Sequence, residues 1–431
     1  MNLTNLLKNN LEKIRILILD ASERSALATI RSLGRRNVYI IAADYTPYAP
    51  SFFSKYVKEK MLYPSPIENR FAFISWIRRI VKEKKIDIIF SFTDHTTAIL
   101  AQYKKDLEEF TRVGVPDWNI FLKTFDKMYT IMEAKKAQVP VPQTWLIYEE
   151  DEIRYIAQEI DFPVVIKPRR KIVWIGKRGI LLKVTSRNYA RTKEELIQRY
   201  NRILRENPFL VQQGLFPLIQ QYIPGKGAGF EALISEGKDL LAFFMHKRIH
   251  EYPVTGGAST LRVSIYDKLL LHYGLKMLRQ IKWDGVAMVE FRVSEKGPFL
   301  MEVNGRFWGS LPLAISAGVD FPYLYLLLLM NQTINLPSSI KYKLGIYQKW
   351  SIPGEFLWLF GKITQSLSNK KYSEIFKILR DFTQNWIKSY DDILIREDIS
   401  PLIGAILISF QYLFDVLKGK RKITGETATQ R

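Results

Sequence analysis

The first 120 residues alternate short apolar runs with amphipathic stretches, a pattern that predicts strands and helices in turn. Strands of the buried type are predicted at 14–20, 38–43 and 86–92, and helices at about 22–33 and from near Thr93 onward. Short apolar strands separated by helical segments are typical of a parallel sheet in an α/β layer. The ligand crevice of such a sheet lies at the carboxyl ends of its strands.

The pattern changes near residue 120, where Asp126 can cap a helix that runs from Lys127 to about Gln138. The proline-rich segment 139–142 then ends that helix and leads into extended chain. The elements predicted beyond it are strand-like runs between 162 and 304, and helices at about 192–205, 266–281 and 311–330. Long runs of strands with helices set apart favour an α+β arrangement for this part of the chain.

The segment from Met301 to Ser310 carries the most informative polar pattern of the chain. Glu302, Asn304 and Arg306 stand at alternate positions, so in a strand all three side chains face the same way. The apolar residues between them take the opposite face. A carboxylate, an amide oxygen and a guanidinium that share one surface suit a hard metal ion bound to phosphate.

A second carboxylate is predicted to face Glu302. One strand ends near Ser294 and the next begins near Pro298; if these two residues close a three-residue loop, Glu290 lies opposite Glu302, within one position for a bulge. Two facing carboxylates repel each other, and a divalent cation removes the repulsion. The alternative is an exposed hairpin with polar residues on its wet face, which the apolar flanking positions disfavour. Both carboxylates and Asn304 are therefore candidate Mg²⁺ ligands.

Composition narrows the function only in part. A chain of 431 residues is long enough for two or three domains, and the absence of cysteine excludes disulfides and thiolate metal sites. The net charge of +21 is compatible with nucleic acid, an anionic membrane or anionic small molecules. Because the bases are scattered and no nucleic-acid motif accompanies them, the sequence disfavours a nucleic-acid partner. Residues 1–13 lack the apolar core of a signal peptide.

The tail from residue 336 to 431 is predicted to be helical and holds 15 Lys and Arg against 9 Asp and Glu. Its most apolar part, 401–417, is interrupted by Gln411 and Asp415 and is shorter than a membrane span. Two interpretations stay open. The segment is either a packed terminal helix with a disordered basic end, or a peripheral attachment to an anionic membrane through the cations that follow at 418–422.

A lysine and a basic hairpin suggest phosphate binding. Lys167 ends the apolar strand 164–167, and a charge delivered there needs a partner. The stretch 169–180 is rich in cations and has Gly176 and Gly179 three positions apart. Such a hairpin can lay backbone N–H groups and positive charges over polyphosphate. Alone it is more typical of a solvated loop, but beside the metal-binding pattern it favours phosphate.

Further segments are candidates for contact with a ligand. Residues 210–212 and then 219–225 predict strand and a sharp exit, where a flat ring can lie against apolar side chains. The run 243–253 leads into a Gly-Gly loop and forms an anion pocket, unless it is simply a surface strand with solvated bases. The candidate contacts for an anionic substrate are Arg24, His246, Arg248 and Ser259.

The first strand–helix turn, 20–24, lacks the Gly-x-Gly-x-x-Gly fingerprint of dinucleotide-binding proteins. Asp44 after the second strand is positioned to hold a ribose, but without those glycines an ordinary helix-capping or crevice-lining role is favoured. The same roles are expected for Ser22, Thr93 and Asp94.

Taken in order, these segments resemble the ATP-grasp superfamily of ATP-dependent carboxylate–amine ligases, over about residues 14–330. The resemblance is most specific at Glu290, at 301–310 and at His246 through Gly257. Within the superfamily, the chain looks most similar to the carbamoyl-phosphate-synthase-like branch. It implies an α/β and α+β fold: a parallel N-terminal α/β (pre-ATP-grasp) domain, 1–120; a two-lobed ATP-grasp core, 121–335, with lobes at about 121–225 and 226–335; and a helical basic C-terminal extension, 336–431.

The resemblance also implies roles for individual residues. Lys127 and Lys167 match the phosphate-binding lysines, and Gly176 and Gly179 match the mobile glycine-rich loop. Gln221, Tyr222 and Ile223 match the linker that contacts adenine, the last two through backbone groups. Glu290, Glu302 and Asn304 match the ligands of Mg²⁺ (or Mn²⁺). Arg306 matches the arginine that steadies the transferred phosphate, so Arg306 and Lys167 are the expected catalytic residues. The linker has Gln220-Gln221 where Glu is frequent, and the glycine loop has fewer glycines than usual.

The expected activity is that Mg-ATP converts a carboxylate into an acyl phosphate, which an amine then attacks to give an amide, ADP and phosphate. A second hypothesis makes the acceptor a thiol or another oxyacid. A third is a non-catalytic nucleotide-binding protein that its basic tail docks to a membrane or polyanion. ATP and small carboxylate and amine substrates are the expected partners, and the sequence leaves a homodimer open. The expected location is the cytoplasm, with peripheral membrane contact as an option.

Overall fold

A computed structural model describes residues 11–254, 257–332 and 342–419. Its N-terminal layer confirms the predicted alternation of strands and helices. The strands are β1 (Arg15–Ile18), β2 (Tyr39–Asp44), β3 (Glu59–Leu62), β4 (Ile88–Phe90) and β5 (Arg112–Val113), and the helices are α1 (Arg24–Gly34), α2 (Arg70–Lys84), α3 (Asp94–Gln102), α4 (Lys104–Leu107) and α5 (Trp118–Phe125). All neighbouring strands are parallel, in the order β3-β2-β1-β4-β5.

Local hydrogen bonds explain where α3 begins and how the first strand–helix turn is held. The hydroxyl of Thr93 accepts a hydrogen bond from the N–H of Thr96 and so starts α3. Asp44 accepts hydrogen bonds from the N–H groups of Ser22 (2.7 Å) and Thr46 (3.0 Å). Burial raises the pKa of Asp44 to about 6. Asp44 therefore ties the first strand–helix turn to the end of β2.

The next layer is a four-stranded sheet in the order β10-β7-β11-β6, with a separate hairpin β8-β9. Its elements are α6 (Lys127–Lys136), β6 (Thr144–Trp145), α7 (Glu152–Glu159), β7 (Val164–Lys167), β8 (Ile172–Ile175), β9 (Arg178–Leu181), β10 (Tyr189–Ala190), α8 (Lys193–Glu206), α9 (Phe209–Gln212) and β11 (Leu218–Gln221). The Asp126 cap is confirmed, since its carboxylate accepts from the N–H of Met128 at 3.1 Å. The strand predicted at 210–212 is wrong: it is the short helix α9, begun by Pro208.

A seven-stranded sheet forms the largest layer, in the order β16-β15-β12-β13-β14-β17-β18, of which β17 is Tyr347–Lys349 and β18 is Tyr390–Asp391. Its first strands are β12 (Lys226–Ser235), β13 (Asp239–Tyr252), β14 (Ala258–Ser264), β15 (Gly285–Ser294) and β16 (Gly297–Asn304), and helix α10 (Lys268–Gln280) packs on one face. Phe230, Trp283 and Phe291 are completely buried in the core beneath it. The opposite face of the sheet carries the polar residues of the candidate site.

The single helix predicted at 311–330 is wrong. The chain forms two helices, α11 (Leu311–Ala317) and α12 (Phe321–Leu329), bent by 95°. Gly318 separates them in the left-handed region with φ of 108°, a conformation that suits glycine. In the part of the chain that the structure describes, no single helix is long and apolar enough to cross a membrane, and this bent pair passes such a test by length and composition only.

The C-terminal extension is more than a helical tail. Its helices are α13 (Phe356–Ser368), α14 (Ser373–Lys388) and α15 (Pro401–Leu417), but β17 (Tyr347–Lys349) and β18 (Tyr390–Asp391) also extend the seven-stranded sheet. Buried Arg31 of α1 donates to the carboxylate of Asp398 (2.9 Å) and the carbonyl of Asp392 (2.8 Å). The extension is therefore joined to the N-terminal layer by buried, charged hydrogen bonds, while the predicted domain boundaries at 120 and 335 stay a proposal.

Candidate active site

A row of residues across the seven-stranded sheet positions the candidate metal ligands. Glu290 pairs with Glu302, as predicted, and Gly229 and then His246 continue the row on the other side of Glu290. The predicted loop was one residue too long, because Ser294 pairs with Gly297 and not with Pro298. A register shift between Glu290 and Phe291 restores the pairing. The two carboxylates therefore lie on one face of adjacent strands.

The predicted metal ligands are neutralised by cations of the chain. Lys171 Nζ lies 3.0 Å from Glu302 Oε1 and 3.2 Å from Asn304 Oδ1, and Lys127 Nζ lies 3.4 Å from the other oxygen of Glu302. Burial alone would raise the pKa of Glu302, but Lys171 and Lys127 outweigh it and hold that pKa well below its usual range. Glu290 is paired with Arg248 at 2.5 Å.

This donor set fits Mg²⁺. Magnesium is usually held by one or two protein carboxylates together with substrate phosphates, and the site offers Glu290, Glu302 and the Asn304 amide oxygen beside several cations. Among the described residues no group of three or more His, Cys, Asp or Glu side chains is placed to hold a metal by itself. A metal here would therefore depend on phosphate oxygens to complete its coordination.

Lys167 lies at the end of β7, as predicted, inside the cavity. Its Nζ donates to the side-chain oxygen of buried Gln220 at 2.6 Å. Burial, helped by the nearby charge of Lys127, lowers the pKa of Lys167 to about 8. A partly buried ammonium with a neutral partner retains attraction for an anion, so Lys167 is suitably placed for phosphate.

The hairpin β8-β9 has two parts with different surroundings. Lys171 and Leu181, at its base, line the cavity. Gly176 has a φ of 57° at the tip, and the N–H of Gly179 donates to the carbonyl of Ile67 at 2.7 Å. Within the described chain, Gly176 and Gly179 are not among the residues lining the cavity, because the tip rests on the N-terminal layer.

The linker after β11 places Gln221, Tyr222 and Ile223 on the cavity wall together. The N–H of Tyr222 already donates to the carbonyl of Pro163 at 3.1 Å, so its own carbonyl is the backbone group left for adenine. Its ring meets Tyr189 edge to face at 6.0 Å. The predicted adenine contacts are thus brought to one wall, and their role stays a prediction.

Arg306 lies just beyond β16 and forms a bidentate pair with Asp94 of α3, at 3.0 and 3.1 Å. The pKa of Arg306 is raised, because the attraction of Asp94 outweighs the effect of burial. Asp94 was expected only to cap a helix or line the crevice. No local sequence pattern predicts this ion pair, because 212 residues separate Asp94 from Arg306.

The four candidate substrate contacts all line the same cavity. Arg24 is paired with Asp392 at 2.8 Å, and Ser259 Oγ donates to the carbonyl of Leu261 at 3.0 Å. The Nδ1 of buried His246 lies 2.5 Å from Oε1 of Glu231. Its Nε2 has no hydrogen-bond partner in the described chain. Sequence reasoning missed Glu231, which lies within an apolar run in the buried middle of β12.

One cavity of about 780 Å³ gathers these groups. Its walls come from the carboxyl ends of the N-terminal strands, the four-stranded sheet and the polar face of the seven-stranded sheet. The Lys and Arg residues that line it are Arg24, Lys127, Lys167, Lys171, Lys183, Arg248, Arg292 and Arg306; the acids are Glu23, Asp94, Glu290 and Glu302. Cations exceed acids, which suits a polyphosphate and a second anion.

Comparison with known sequences agrees with this geometry. Residues 218–348 match the family model described as ATP-grasp in the biosynthetic pathway with Ter operon. The chain is 22% identical over 279 residues to D-aspartate ligase of Enterococcus faecium (strain Aus0004), covering 60% of this chain and 63% of that protein. It therefore spans less than two thirds of the length of that relative.

Solved structures show the same fold. The biotin carboxylase domain of 2-oxoglutarate carboxylase from Hydrogenobacter thermophilus, solved with MgADP, ADP and bicarbonate, has a TM-score of 0.61 and 17% identity, covering 77% of this chain and 73% of that one. N5-carboxyaminoimidazole synthetase from Staphylococcus aureus has a TM-score of 0.56 and 15% identity, covering 78% and 80%. At such identities the likeness concerns the fold alone.

Proposed function

We propose that the chain is an ATP-dependent ligase of the ATP-grasp superfamily that joins a carboxylate to an amine. One observation carries the proposal: the facing pair Glu290 and Glu302 lies in a single cavity with Lys127, Lys167 and Arg306. Transfer of a phosphoryl group relies on positioning and neutralisation of charge more than on a protein nucleophile. A cavity lined with cations and metal ligands meets that requirement.

In the proposed reaction a carboxylate oxygen attacks the γ-phosphorus of ATP, the bond to ADP breaks, and an acyl phosphate forms. The amine then attacks the acyl carbon, loses a proton, and displaces phosphate. Lys127 and Lys167 would hold the phosphates, and Glu290, Glu302 and Asn304 would hold Mg²⁺. When bound, the metal neutralises and clamps phosphate oxygens.

Two side chains have tasks that follow from their contacts. Arg306 is held by Asp94, so its guanidinium stays charged and oriented beside the group being transferred. Lys171 contacts Glu302 and Asn304, and also lies 3.4 Å from Asp94. Lys171 would place its charge beside the bound phosphates, because Asp94 retains it next to the residues that would hold the metal.

We expect Glu302→Gln or Lys167→Ala to abolish ATP turnover, because each removes a charge that metal or phosphate needs. Turnover is measured as ADP release, with circular dichroism and thermal unfolding to check the fold. Glu295→Gln is the matched control, since Glu295 is an exposed carboxylate in the same hairpin outside the cavity. Turnover retained in either site variant would refute the assignment.

The substrates are proposed only as classes, a small carboxylate and an amine. A screen of amino acids and polyamines for acceptor-dependent ADP release identifies the amine. Thiols and oxyacids added to the same screen test the other acceptor classes, and ADP release that depends on one of them but not on an amine would replace the amide-forming proposal.

The second candidate function is a non-catalytic nucleotide-binding protein docked to an anionic membrane. The surface of α15 supports docking to a membrane, because three of its large apolar side chains are exposed: Phe410 is 58% exposed, Phe414 60% and Leu417 74%. Lys418 follows directly, and the cations predicted to assist it at 420–422 lie outside the described residues. An apolar face followed by lysines is typical of helices that lie on anionic membranes.

Flotation with vesicles separates this candidate from the ligase. The full chain is expected to float with vesicles of phosphatidylglycerol and phosphatidylcholine, and Phe410→Ser/Phe414→Ser to remain at the bottom. Equal recovery of both proteins would end the docking proposal. Acceptor-dependent ADP release by the wild-type chain would exclude the non-catalytic function whatever the vesicles show.

A further inference from the structure

A second cavity of about 600 Å³ lies between β13 and the C-terminal helices α13 and α14. Its floor is the end of β13, from Arg248 to Glu251. Its walls include Trp358 and Lys362 of α13 and Lys377 of α14. None of the sequence patterns predicted it, because it forms only where the extension returns to the sheet.

A buried histidine fixes the helices around this cavity. His250 of β13 stacks on Trp358 with ring centroids 3.5 Å apart and an angle of 9° between the planes. Its Nδ1 lies 2.9 Å from Glu355, and its Nε2 lies 2.8 Å from Asp381 of α14. Burial opposes the charged form, but the two carboxylates outweigh it and raise the pKa of His250. The walls are therefore held to the sheet by specific contacts.

The charges of the cavity do not cancel. Its three acids have partners: Glu251 lies 3.4 Å from Arg248, Glu374 lies 3.3 Å from Lys371, and Asp381 contacts His250. The lining lysines that form no ion pair with any described residue are Lys226, Lys362 and Lys377. Three amino groups without a carboxylate partner around one cavity attract an anion.

Arg248 joins this cavity to the candidate active site, since it lines both. Its guanidinium lies 2.5 Å from Glu290, the proposed metal ligand, and 3.4 Å from Glu251 on the other side. A molecule bound in the second cavity can therefore contact Arg248, whose guanidinium also contacts Glu290 at the proposed phosphoryl-transfer centre.

We propose that the second cavity binds the acidic group of the acceptor, so that the amine substrate of the ligase is one that carries a carboxylate or a phosphate. The acidic group lies among Lys226, Lys362 and Lys377, and the amino group points past Arg248 towards the acyl phosphate. The orientation of the acceptor rests on the proposed ligase function, but binding of the anion does not.

The test uses the full chain saturated with Mg-ADP, so that the probes cannot occupy the nucleotide site, and measures binding by calorimetry at low ionic strength. The probes share a two-carbon amine: O-phosphoethanolamine carries a phosphate, β-alanine a carboxylate, and ethanolamine neither. We expect one or both acidic probes to bind and ethanolamine not to bind. Which acidic probe binds more tightly identifies the anion.

The double variant Lys362→Gln/Lys377→Gln is expected to weaken binding of the acidic probe roughly three- to thirtyfold, the range expected when two exposed ion pairs are lost. Lys370→Gln is the matched control and should bind like the wild type, because Lys370 is an exposed lysine beside the same helices that does not line the cavity. Thermal unfolding confirms that the variants are folded.

Unchanged binding in the double variant, equal binding of ethanolamine, or no binding of either acidic probe would overturn the proposal. Failure of the ligase function is distinguishable, because ADP release would then be absent with every acceptor while the acidic probe still bound in a Lys362- and Lys377-dependent way. Conversely, ADP release that is equally fast with ethanolamine and its acidic analogues would retain the ligase and exclude this cavity as the acceptor site.

Discussion

Substitution of Asp392 tests whether the C-terminal extension is an integral part of the folded chain. Its carboxylate is completely buried and accepts from Arg262 at 2.5 Å, from Arg24 at 2.8 Å and from Gln348 at 3.1 Å. Arg262 is equally buried, and two further nitrogens of its guanidinium have no partner among the described residues. Asp392→Ala would therefore leave two guanidinium groups without a counter-ion in the protein interior.

The expected loss is large. Removing one member of a buried ion pair costs about 3–5 kcal/mol, since the remaining charge is left unpaired. Whole domains are stable by only about 5–15 kcal/mol. With a shift of roughly 2–4 °C per kcal/mol for a large domain, the midpoint of thermal unfolding should fall by roughly 6–20 °C. Asp392→Asn keeps an acceptor oxygen without the charge and should give an intermediate fall.

Differential scanning calorimetry measures the midpoint, and limited proteolysis reports whether the extension is released. Glu83→Ala is the control, because Glu83 belongs to an exposed ion pair with Arg79 at 3.9 Å. Such pairs contribute little, so its midpoint should match that of the wild type. If Asp392→Ala unfolds at the same temperature as Glu83→Ala, the reasoning about unpaired buried charge is wrong.

Three further outcomes are expected. The affinity for Mg-ATP should fall as the pH rises above about 8, because Lys167 then loses the proton that phosphate binding must restore, and calorimetry should find this fall absent in Lys167→Arg. Asp94→Asn should lower kcat by up to ~100-fold in steady-state assays by loosening Arg306, and an unchanged kcat would contradict the positioning role. Gly229→Ala should destabilise the chain by about 1–3 kcal/mol in urea, because its Cβ would lie 2.5 Å from Cε1 of His246.

Local patterns predicted the parts of this structure whose causes are local. The apolar runs near residues 16, 40 and 88 became parallel strands, and Asp126 capped its helix. The pairing of Glu290 with Glu302 was also predictable, because the two strands are joined by a short turn and their side-chain period is two. The predicted hairpin loop is one residue too long, and the bulge between Glu290 and Phe291 restores the predicted pairing.

The remaining features depend on contacts between distant segments. The sequence shows Lys171 only as one of several bases in a hairpin. No neighbouring residue predicts its contact with Glu302, because the two are 131 residues apart. The strand β18 has only two residues and forms by pairing with β17, so it is too short for a hydrophobic periodicity that would predict it. Exposed and buried helices also look alike in sequence, and α15 has both kinds of surface.

The order of strands in the seven-stranded sheet has a consequence for synthesis on the ribosome. β14 lies inside the sheet only because β17, from residues 347–349, pairs with its outer side. A nascent chain that has released β12 to β16 therefore presents the edge of β14 to solvent until about 45 further residues have emerged. Unpaired edges are templates for association between chains. Truncated products of this chain should consequently be captured by chaperones or aggregate, even though every proposed metal ligand is already present in them.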